Sequence, residues 1–456
     1  MNTIASISTA PGIGGIGIIR MSGEKSFEVL EKIFKPKTPK KISEIPGYSM
    51  KYGNIVEDEK VVDEVLVSYF KAPKSYTTEN MCEINSHGGI VVMRKILELC
   101  LKNGAELAEA GEFTKRAFLN GRIDLSQAES VIDVINAKTD REEAEGIKQL
   151  KGFLKDEIEN IKKDLLEIMA NIEVSIDYPE YDTPEVTNAD ILDKIEKSKQ
   201  KLEKLKKSFD NGKIIKEGVK TAIIGRPNVG KSSLLNAILK EDRAIVTDIE
   251  GTTRDTIEEF VNVGEVPLKL IDTAGIRTTE DKIERIGVEK SKKIADEADL
   301  IIAIIDASKE LTEEDIEILK IAENKKAIIV LNKIDIEQKI TAENPKLKNF
   351  EGNIISVSIL NKIGLESIFK KITQMFNLNE INFENEIVIT NERHKNLISK
   401  AIENLDKAKN TLKENMPIDI VQISLREVLS NLGAITGEEA GEEIVNEIFS
   451  RFCLGK

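Results

Sequence analysis

The chain has 456 residues, a length that suggests about three domains. Hydrophobic residues make up 40% and charged residues 32%, tryptophan is absent, and no apolar run approaches the roughly 20 residues that a membrane-spanning helix needs. The net charge of −14 argues against a protein that coats nucleic acid irrespective of its sequence.

Cysteine usage and the start of the chain bear on the compartment. Cys82, Cys100 and Cys453 are odd in number and scattered, which favours neither a disulfide framework nor a zinc site. The first residues, Met1 to Ile4, lack the charged segment with which a signal peptide begins. We therefore expect a cytoplasmic protein in a reducing environment.

Residues 1–118 have the pattern of a compact α/β domain. Short β-runs and two helical patterns fall at Ile4–Ser8, Gly17–Met21, Ser26–Phe34 (helical), Tyr48–Val56, Glu64–Phe70, Met81–Asn85 and Ile90–Lys102 (helical). The stretch from Gly12 to Gly17 formally matches G-x-G-x-x-G, but a β-run follows it where a dinucleotide site needs a helix. We interpret it as a flexible turn that a ligand or another chain can approach closely.

Two charges interrupt the apolar strands of this domain. Arg20 and Glu83 lie inside or beside β-runs, where an unpaired charge is costly. Each is therefore either paired or turned toward a ligand, and the sequence leaves both options open. His87 lies between a β-run and a helix and is interpreted as a structural residue.

From Thr114 the pattern turns helical. Apolar residues between Ile147 and Ile172 recur at gaps of three or four, which predicts one long helix that ends near Asp177. Four further helices are predicted: Ala189–Phe209, one that begins after Glu392, Asp419–Leu432 and Gly441–Phe452. A linker is predicted at Lys213–Gly218.

Between the two helical blocks, strands and helices alternate as in a doubly wound α/β domain. Neither helical block has an obvious partner except the other. We therefore predict that an α/β domain, residues 213–379, is inserted into one helical domain formed by residues 119–212 and 380–456, and that it enters and leaves that domain at neighbouring points.

A strand–loop–helix signature opens the inserted segment. A β-run ends at Gly225, the pattern G-x-x-x-x-G-K-S extends from there to Ser232, and a helical pattern follows. In such a P-loop, glycines let backbone N–H groups turn inward around phosphate oxygens, and the start of the helix adds partial positive charge. We expect Lys231 to reach the β- and γ-phosphates and the Ser232 hydroxyl to bind Mg²⁺.

Later motifs predict GTP in preference to ATP. The loop from Gly251 to Asp255 is a candidate switch I whose Thr253 adds a second Mg²⁺ contact, and Asp272-Thr273-Ala274-Gly275 can hold the metal through water. Asn332-Lys333-Ile334-Asp335 ends a strand, and an aspartate there accepts both guanine ring N–H donors, which adenine lacks. Ser358-Ile359 stands where a Ser-Ala pair is usual.

The catalytic charge is not supplied by these motifs. Ile276 follows Gly275, at the position where Ras-type switches carry the glutamine that orients water. The chain therefore needs another way to position water and another positive charge. Asn228, inside the P-loop, can ligate a monovalent cation beside the phosphates, or it can be an ordinary turn residue, and the sequence leaves both readings open.

Several blocks together resemble the MnmE (TrmE) family of tRNA-modification GTPases. They are the P-loop with Gly-Arg-Pro-Asn, the G-T-T-R-D loop, the Cys453-Leu454-Gly455-Lys456 tail, the glycine loop Pro11–Arg20, the Ser86–Gly89 region and the stretch Gly111–Arg122. The match spans nearly the whole chain. The tail and the N-terminal blocks are its specific part, because the GTPase motifs are shared with many GTPases.

This resemblance implies a fold and a reaction. The fold is a folate-binding, dimer-forming α/β domain, then a helical domain with a Ras-like doubly wound P-loop GTPase domain inserted in it. The implied reaction joins the homodimer with an FAD-dependent MnmG (GidA)-type protein in a heterotetramer, which places a carboxymethylaminomethyl or aminomethyl group on C5 of the wobble uridine of tRNA. The implied cofactors are GTP, Mg²⁺, K⁺ and 5-formyl- or 5,10-methylene-tetrahydrofolate.

The resemblance also assigns roles to residues. It implies that Glu284 acts as general base or positions water, and that Cys453 is the reactive thiol at the modification centre. The implied folate site is lined by Arg20, Glu83, Arg122 and Lys456. The implied metal ligands are Ser232 and Thr253 for Mg²⁺, and Asn228, Thr247, Ile249 and Thr252 for K⁺. The GTP-binding set from motifs and resemblance together is Asn228, Val229, Gly230, Lys231, Ser232, Ser233, Thr247, Asp248, Ile249, Glu250, Gly251, Thr252, Thr253, Asp272, Thr273, Ala274, Gly275, Asn332, Lys333, Asp335 and Ser358.

Two other functions compete with this interpretation. A regulatory GTPase of the ribosome-assembly kind, with flanking binding modules, would carry the same GTPase motifs. A free-standing folate-dependent aminomethyltransferase would carry a vestigial GTPase domain, but the intact Lys231, Asp272 and Asp335 speak against it. The Cys453 tail and the N-terminal blocks favour the tRNA-modifying GTPase.

Overall fold

A computed structural model describes residues 1–38, 45–177, 188–241, 259–264, 266–271, 294–376, 387–414 and 416–456. The chain divides into two compact units. One contains Met1–Ile135, Ile147–Ser198 and Lys400–Lys456, and the other contains Asn136–Gly146 and Lys199–Ser399. Within the described residues, no helix is both long enough and apolar enough to cross a bilayer.

The first unit begins with a mixed seven-stranded sheet. Its elements are β1 (Ile4–Ile7), β2 (Gly14–Ser22), α1 (Ser26–Ile33), β3 (Phe34–Pro36), β4 (Ser49–Glu57), β5 (Lys60–Phe70), β6 (Met81–Gly88), α2 (Ile90–Lys102) and β7 (Glu106–Leu107). The strand order is β3-β4-β5-β6-β2-β1-β7, and only β1 and β7 pair in parallel. The helices α1 and α2 contact each other and the sheet, so they share one of its faces.

The glycine-rich stretch near the N-terminus corrects one expectation. Gly14 to Gly17 belong to β2 rather than to a free turn, and the pairing with β6 is irregular between them. The two strands come very close together at this point: a Cβ on Gly88 of β6 would lie only 2.5 Å from the carbonyl oxygen of Gly14 in β2. The close approach that the glycines permit is thus made by the neighbouring strand.

Helices complete the first unit. They are α3 (Glu112–Leu119), α4 (Leu125–Asn136), α5 (Asp140–Leu150), α6 (Phe153–Asp177) and α7 (Asn188–Glu217), and near the end of the chain α11 (Glu392–Lys413), α12 (Ile418–Thr436) and α13 (Glu442–Ser450). Helices α4, α5, α7 and α11 contribute residues to both units. Among these described helices, the most extensive packing is between α6 and α12. A smaller apolar cluster joins α3 and α4 to α13 through residues such as Ala117, Leu125 and Phe449.

The prediction of a single helix through Ile147 and Ile172 is wrong. The chain breaks between α5 and α6 at Gly152, whose φ of +92° is left-handed. Gly152 donates its N–H to the Gln149 carbonyl and accepts from Asp156, so it ends one helix and starts the next. Leu150 and Leu154 keep the helical spacing across the break, which is why periodicity alone does not reveal it.

The second unit is built on a six-stranded sheet. Its elements are β8 (Val219–Gly225), α8 (Lys231–Glu241), β9 (Glu259–Val263), β10 (Val266–Leu270), β11 (Leu300–Asp306), α9 (Glu313–Glu323), β12 (Lys326–Asn332), β13 (Ile354–Val357) and α10 (Leu365–Phe376). The order is β13-β12-β11-β8-β10-β9, and every pair except β9–β10 is parallel.

Both faces of this sheet are buried. Every residue of β11 is buried, and its side chains alternate between two apolar clusters, Ile302 and Ile304 in one and Ile301 and Ala303 in the other. Helices α8 and α10 supply the first cluster and α9 the second. This is the doubly wound arrangement, and it brings the carboxyl ends of β8, β11 and β12 to one edge.

The segments that lead into and out of this sheet lie against each other. Helix α7 extends to Glu217, so the predicted linker at Lys213–Gly218 is almost entirely helical. The N–H of Ile389 donates to Ser208 Oγ at 3.0 Å, and the Lys395 ammonium lies 4.2 Å from the centre of the Phe209 ring. A Cβ on Gly212 would overlap the Ile389 carbonyl. Glycine at position 212, near the end of α7, is therefore required by the returning chain.

Gly212→Ala should destabilise the protein by about 1–3 kcal/mol, because a methyl group there must displace backbone. The measurement is the midpoint of urea unfolding. Gly433→Ala is the matched control, since it also lies inside a helix but its added Cβ would meet only side-chain atoms at 3.7 Å or more. Equal midpoints for the two variants would contradict the packing argument.

Candidate functional site

The loop between β8 and α8 has the shape of a phosphate cradle. Gly225 lies so close to the next strand that a Cβ would sit 2.7 Å from the Ile304 carbonyl oxygen, and Asn228 has a left-handed φ of 62°. The Lys231 ammonium donates to the carbonyls of Gly225 at 2.8 Å and Arg226 at 2.7 Å. These bonds hold the cation inside the loop at the start of α8, where the helix dipole also favours anions.

A single side chain ties this loop to two others. The Asn332 amide, at the end of β12, donates to the Val229 carbonyl at 2.8 Å and accepts from the Ile359 N–H at 3.1 Å. Gly230, with a φ of +110°, packs against the same amide, and a Cβ there would overlap it. The phosphate loop, the Asn-Lys-x-Asp motif and the turn after β13 are thus one connected structure.

The next residue of the motif is held by a buried carboxylate. Lys333 has a left-handed φ of 70°, and its ammonium lies 2.6 Å from Asp306 at the end of β11. The other Asp306 oxygen accepts from the Ser308 N–H and hydroxyl at 3.1 and 2.6 Å. Burial opposes the charge of Asp306, but the hydrogen bonds from Lys333 and Ser308 outweigh it and hold the pKa of this carboxyl below its ordinary value of 3.8.

The two remaining residues predicted at the base differ in exposure. Asp335 is exposed beside this edge of the sheet, available to a ligand. Ser358 is buried, and its backbone forms a tight turn with Ile363 through bonds of 3.0 and 2.9 Å. The N–H of Ile359 is used by Asn332, so a base contact from this turn has to come from another donor.

Part of the predicted site lies outside the described residues. This holds for Thr247, Asp248, Ile249, Glu250, Gly251, Thr252, Thr253, Asp272, Thr273, Ala274, Gly275 and Glu284. Of the metal ligands, Asn228 and Ser232 are described: the first is exposed on the loop and the second lies in the first turn of α8. Each has a side-chain oxygen, the type of donor atom that Mg²⁺ prefers in proteins.

A second polar cluster lies in the first unit. Arg20 and Glu83 are directly opposite in the β2–β6 register, and their side chains form an ion pair at 2.8 Å. The Arg20 guanidinium also lies 5.6 Å from the ring centres of Tyr76 and Phe113. Arg122 stacks on the same Tyr76 ring at 4.5 Å, so the aromatic side chain joins two of the predicted arginines.

The end of the chain is fixed beside this cluster. The Gly455 carbonyl accepts from Arg20 at 3.2 Å and from the Ser8 hydroxyl at 2.9 Å, and the Lys456 carbonyl accepts from the Phe113 N–H at 3.2 Å. Gly455 is buried with a φ of +84°, and a Cβ there would overlap the Ile7 carbonyl. Cys453 is exposed, whereas Cys82 and Cys100 are buried. Of the predicted residues, Arg20 and Arg122 thus lie over the Tyr76 ring, Glu83 pairs with Arg20, and Lys456 is joined to Phe113 through its backbone carbonyl.

Sequence reasoning missed several residues that support these sites. Asp306 ends a parallel strand, and that position at the carboxyl edge was a usable signal. Tyr76 and Phe113 carry no such signal, because they come from a loop and a helix that approach β2 only in the folded chain. His87 pairs with Asp63 at 2.7 Å and is exposed, away from these contacts.

Asp306→Asn should lower the free energy of unfolding at neutral pH by about 1–3 kcal/mol, because it removes a charged hydrogen bond to Lys333. Since the folded pKa of Asp306 is depressed, this contribution is present above pH 3.8 and is lost as the pH falls through the lower folded value. Urea unfolding at pH 7 and below pH 4 measures it. The control is Glu337→Gln, which removes an exposed charge; a deficit that does not change with pH would contradict the ion pair.

Comparisons with known proteins identify the family of this chain. The model of the TrmE N-terminus, described as a GTP-binding protein, matches residues 3–122, and that of the MnmE helical domain matches residues 125–453. The tRNA modification GTPase MnmE of Acetivibrio thermocellus is 50% identical over 457 residues, which cover 100% of this chain and 99% of the relative. The protein of the same name from Clostridioides difficile is 51% identical over 455 residues, with coverage of 100% and 99%.

A solved structure, the G domain of the T. maritima FeoB iron transporter, is 28% identical and covers 34% of this chain and 97% of its own. Its TM-score is 0.26, at which the likeness adds nothing to the assignment. The family models and the full-length relatives suffice: this chain belongs to the MnmE (TrmE) family of tRNA modification GTPases.

Proposed function

We propose that this chain is a potassium-stimulated GTP hydrolase that works with an FAD-dependent MnmG-type partner. Together they install a carboxymethylaminomethyl or aminomethyl group at C5 of the wobble uridine of tRNA, with a tetrahydrofolate as one-carbon donor. The observation that carries the proposal is the pair of preformed sites in one chain, the nucleotide cradle tied by Asn332 and the aromatic cluster at the C-terminal tail.

The nucleotide cradle has groups suited to both parts of GTP, the guanine base and the polyphosphate. Lys231 is held where an anion at the start of α8 would meet it, and exposed Asp335 offers two carboxylate oxygens to the guanine N–H donors. Lys333, fixed by Asp306, extends its aliphatic stem at the same edge of the sheet. The preorganised Lys231 cation loses little freedom on binding, which favours affinity.

The metal ligands follow from the same cradle. Ser232 and Thr253 would hold Mg²⁺, and Asn228, Thr247, Ile249 and Thr252 would hold K⁺, the Thr247 and Ile249 contacts being made by backbone carbonyls. When bound, these cations supply positive charge that stabilises the phosphoryl oxygens in the transition state. Glu284 would position or deprotonate the attacking water, because Ile276 has no side chain capable of doing so.

The second cluster fits a folate. A pterin ring has a guanidine-like edge, and a carboxylate such as Glu83 can accept hydrogen bonds from the N–H groups of that edge. The plane of the pterin ring can stack on an aromatic side chain. Arg122 and Lys456 would pair with the carboxylates of the glutamate end. The Cys453 thiol is exposed, three residues from the end of a tail fixed at Gly455, and this supports its role as the nucleophile that acts beside the proposed one-carbon donor.

An exposed apolar face supports the proposed homodimer. On the sheet of the first unit, Tyr52 and Leu66 are directly paired across β4 and β5 and are 47% and 44% exposed, and Met50 is 56% exposed. Apolar side chains grouped in this way on a sheet are typical of an interaction surface. We propose that a second copy of this chain covers them.

The alternative is a regulatory GTPase of the ribosome-assembly kind. It would need the nucleotide cradle but would have no use for the fixed tail or for an exposed cysteine beside the arginine–tyrosine cluster. Mass spectrometry of tRNA from a deletion strain separates the two: loss of the wobble-uridine modification supports the proposal, and unchanged tRNA together with no uptake of 5-formyl-tetrahydrofolate supports the alternative.

Asn228→Ala should remove the stimulation of GTP hydrolysis by K⁺ while nucleotide still binds, because it deletes the side-chain oxygen proposed for the cation. The measurement is turnover in KCl and in NaCl, with nucleotide affinity followed in parallel. Asn236→Ala, an exposed change on α8, is the control. Stimulation that survives in the Asn228 variant would remove the cation role from this residue.

Cys453→Ser should abolish modification of the wobble uridine and leave GTP turnover unchanged, because a hydroxyl is a far weaker nucleophile than a thiolate. Complementation of the deletion strain, followed by mass spectrometry of its tRNA, measures the first effect. Ser450→Ala, an exposed change just before the tail, is the control. A normal modification level in the Cys453 variant defeats the assignment.

A further inference from the structure

One residue of the phosphate loop is tied to a buried carboxylate that no motif includes. The Arg226 Nε donates to Asp315 Oδ1 at 2.8 Å. The Asp315 side chain is 0% exposed, and that of Arg226 is 18% exposed. This ion pair joins the loop after β8 to the first turn of α9, across the carboxyl end of the sheet.

The second oxygen of Asp315 is also committed. Asp315 Oδ2 accepts from the Thr312 N–H at 3.0 Å and from the Thr312 hydroxyl at 2.9 Å, while the Asp315 N–H donates to the Thr312 hydroxyl at 3.4 Å. This reciprocal arrangement is a capping box at the start of α9. The carboxylate is therefore held rigidly from one side and presents its other oxygen to the loop.

Burial makes the arginine the partner that Asp315 requires. A carboxylate without access to water is costly unless it is paired and hydrogen-bonded, and removal of one partner of such a pair leaves the other uncompensated. The cap satisfies one oxygen, and Arg226 satisfies the other with opposite charge. The ion pair thus opposes any movement of Arg226 away from α9.

The backbone of Arg226 transmits this restraint to the phosphate-binding lysine. Its carbonyl accepts from the Lys231 ammonium at 2.7 Å, next to the Gly225 carbonyl at 2.8 Å. Pro227 follows Arg226, which limits the backbone of Arg226 to extended conformations. Side chain, backbone and lysine are therefore linked in one chain of contacts that starts at Asp315.

We propose that Asp315 is a positioning residue for the phosphate-binding loop. By holding Arg226 it keeps the loop and Lys231 in the shape that receives the polyphosphate, so the binding free energy is not spent on ordering the loop. The effect is the same for bound substrate and transition state. It therefore acts on nucleotide affinity and KM and leaves kcat nearly unchanged. The inference rests on the proposed GTP-binding function and names a residue that supports it.

The test is the affinity for GDP and GTP, measured by displacement of a fluorescent guanine nucleotide from the full-length protein, together with KM and kcat. Asp315→Asn should weaken affinity about tenfold, since one charged hydrogen bond is lost, and raise KM in step. Thr312→Ala is the matched control: it breaks the same cap of α9 but leaves the Arg226–Asp315 pair, so its affinity should stay within about twofold of the original.

A second pair of variants guards against a folding defect. Arg226→Met should weaken affinity to the same degree, and Asp315→Asn added to it should cause no further loss, because both changes break one contact. Each outcome decides the matter. Unchanged affinity in folded Asp315→Asn, an equal loss in Thr312→Ala, or full additivity with Arg226→Met would overturn the proposal. Failure of the unmodified chain to bind guanine nucleotides would instead overturn the proposed function.

Discussion

The architecture of the nucleotide cradle depends on one buried amide. The side chain of Asn332 has both a donor and an acceptor out of contact with water, and each needs a partner inside the protein. The Val229 carbonyl and the Ile359 N–H supply them, so three loops that are far apart in sequence cannot move independently. Residue 230 has to be glycine for the same reason, because the Asn332 amide occupies the space that a side chain at this position would need. A motif that recognises a base and a motif that cradles phosphates thereby become one rigid element.

The same physics orders the second cluster. Arg20 lies in the middle of a sheet, and its charge is accommodated by Glu83 on the next strand, by two aromatic faces and by a backbone carbonyl from the end of the chain. The last of these partners explains why the tail has a fixed position. Its backbone is held from several sides, while the Cys453 thiol remains exposed. An exposed thiol on a fixed backbone suits the reactive role that we propose for it.

Local chemistry in the sequence predicted most strands, most helices and the loop glycines, because each depends on neighbours within a few residues. The β-run that ends at Gly225 and the helix at Ile90–Lys102 are examples. Contacts between distant segments could not be predicted. The break at Gly152 hides behind an unbroken apolar spacing, and the extension of α7 to Glu217 depends on the returning chain at Ile389. For Arg20 and Glu83 the cost of burial predicted either a charged partner or a ligand, and only the register of β2 and β6 showed that they pair with each other.

The position of Arg226 bears on the source of catalytic charge. An arginine inside a phosphate-binding loop is easily taken for a phosphate ligand, and the chain has Ile276 where other GTPases carry a catalytic glutamine. However, the Nε of Arg226 donates to Asp315, and this buried carboxylate compensates its charge. A guanidinium in that role strengthens the loop but contributes little field at the transferred phosphoryl group, because its charge is neutralised at close range. Of the two cationic side chains in the described loop between β8 and α8, Lys231 is then the one that serves the phosphates in the proposed site. This supports the proposal that a monovalent cation beside Asn228 takes the place of an arginine finger.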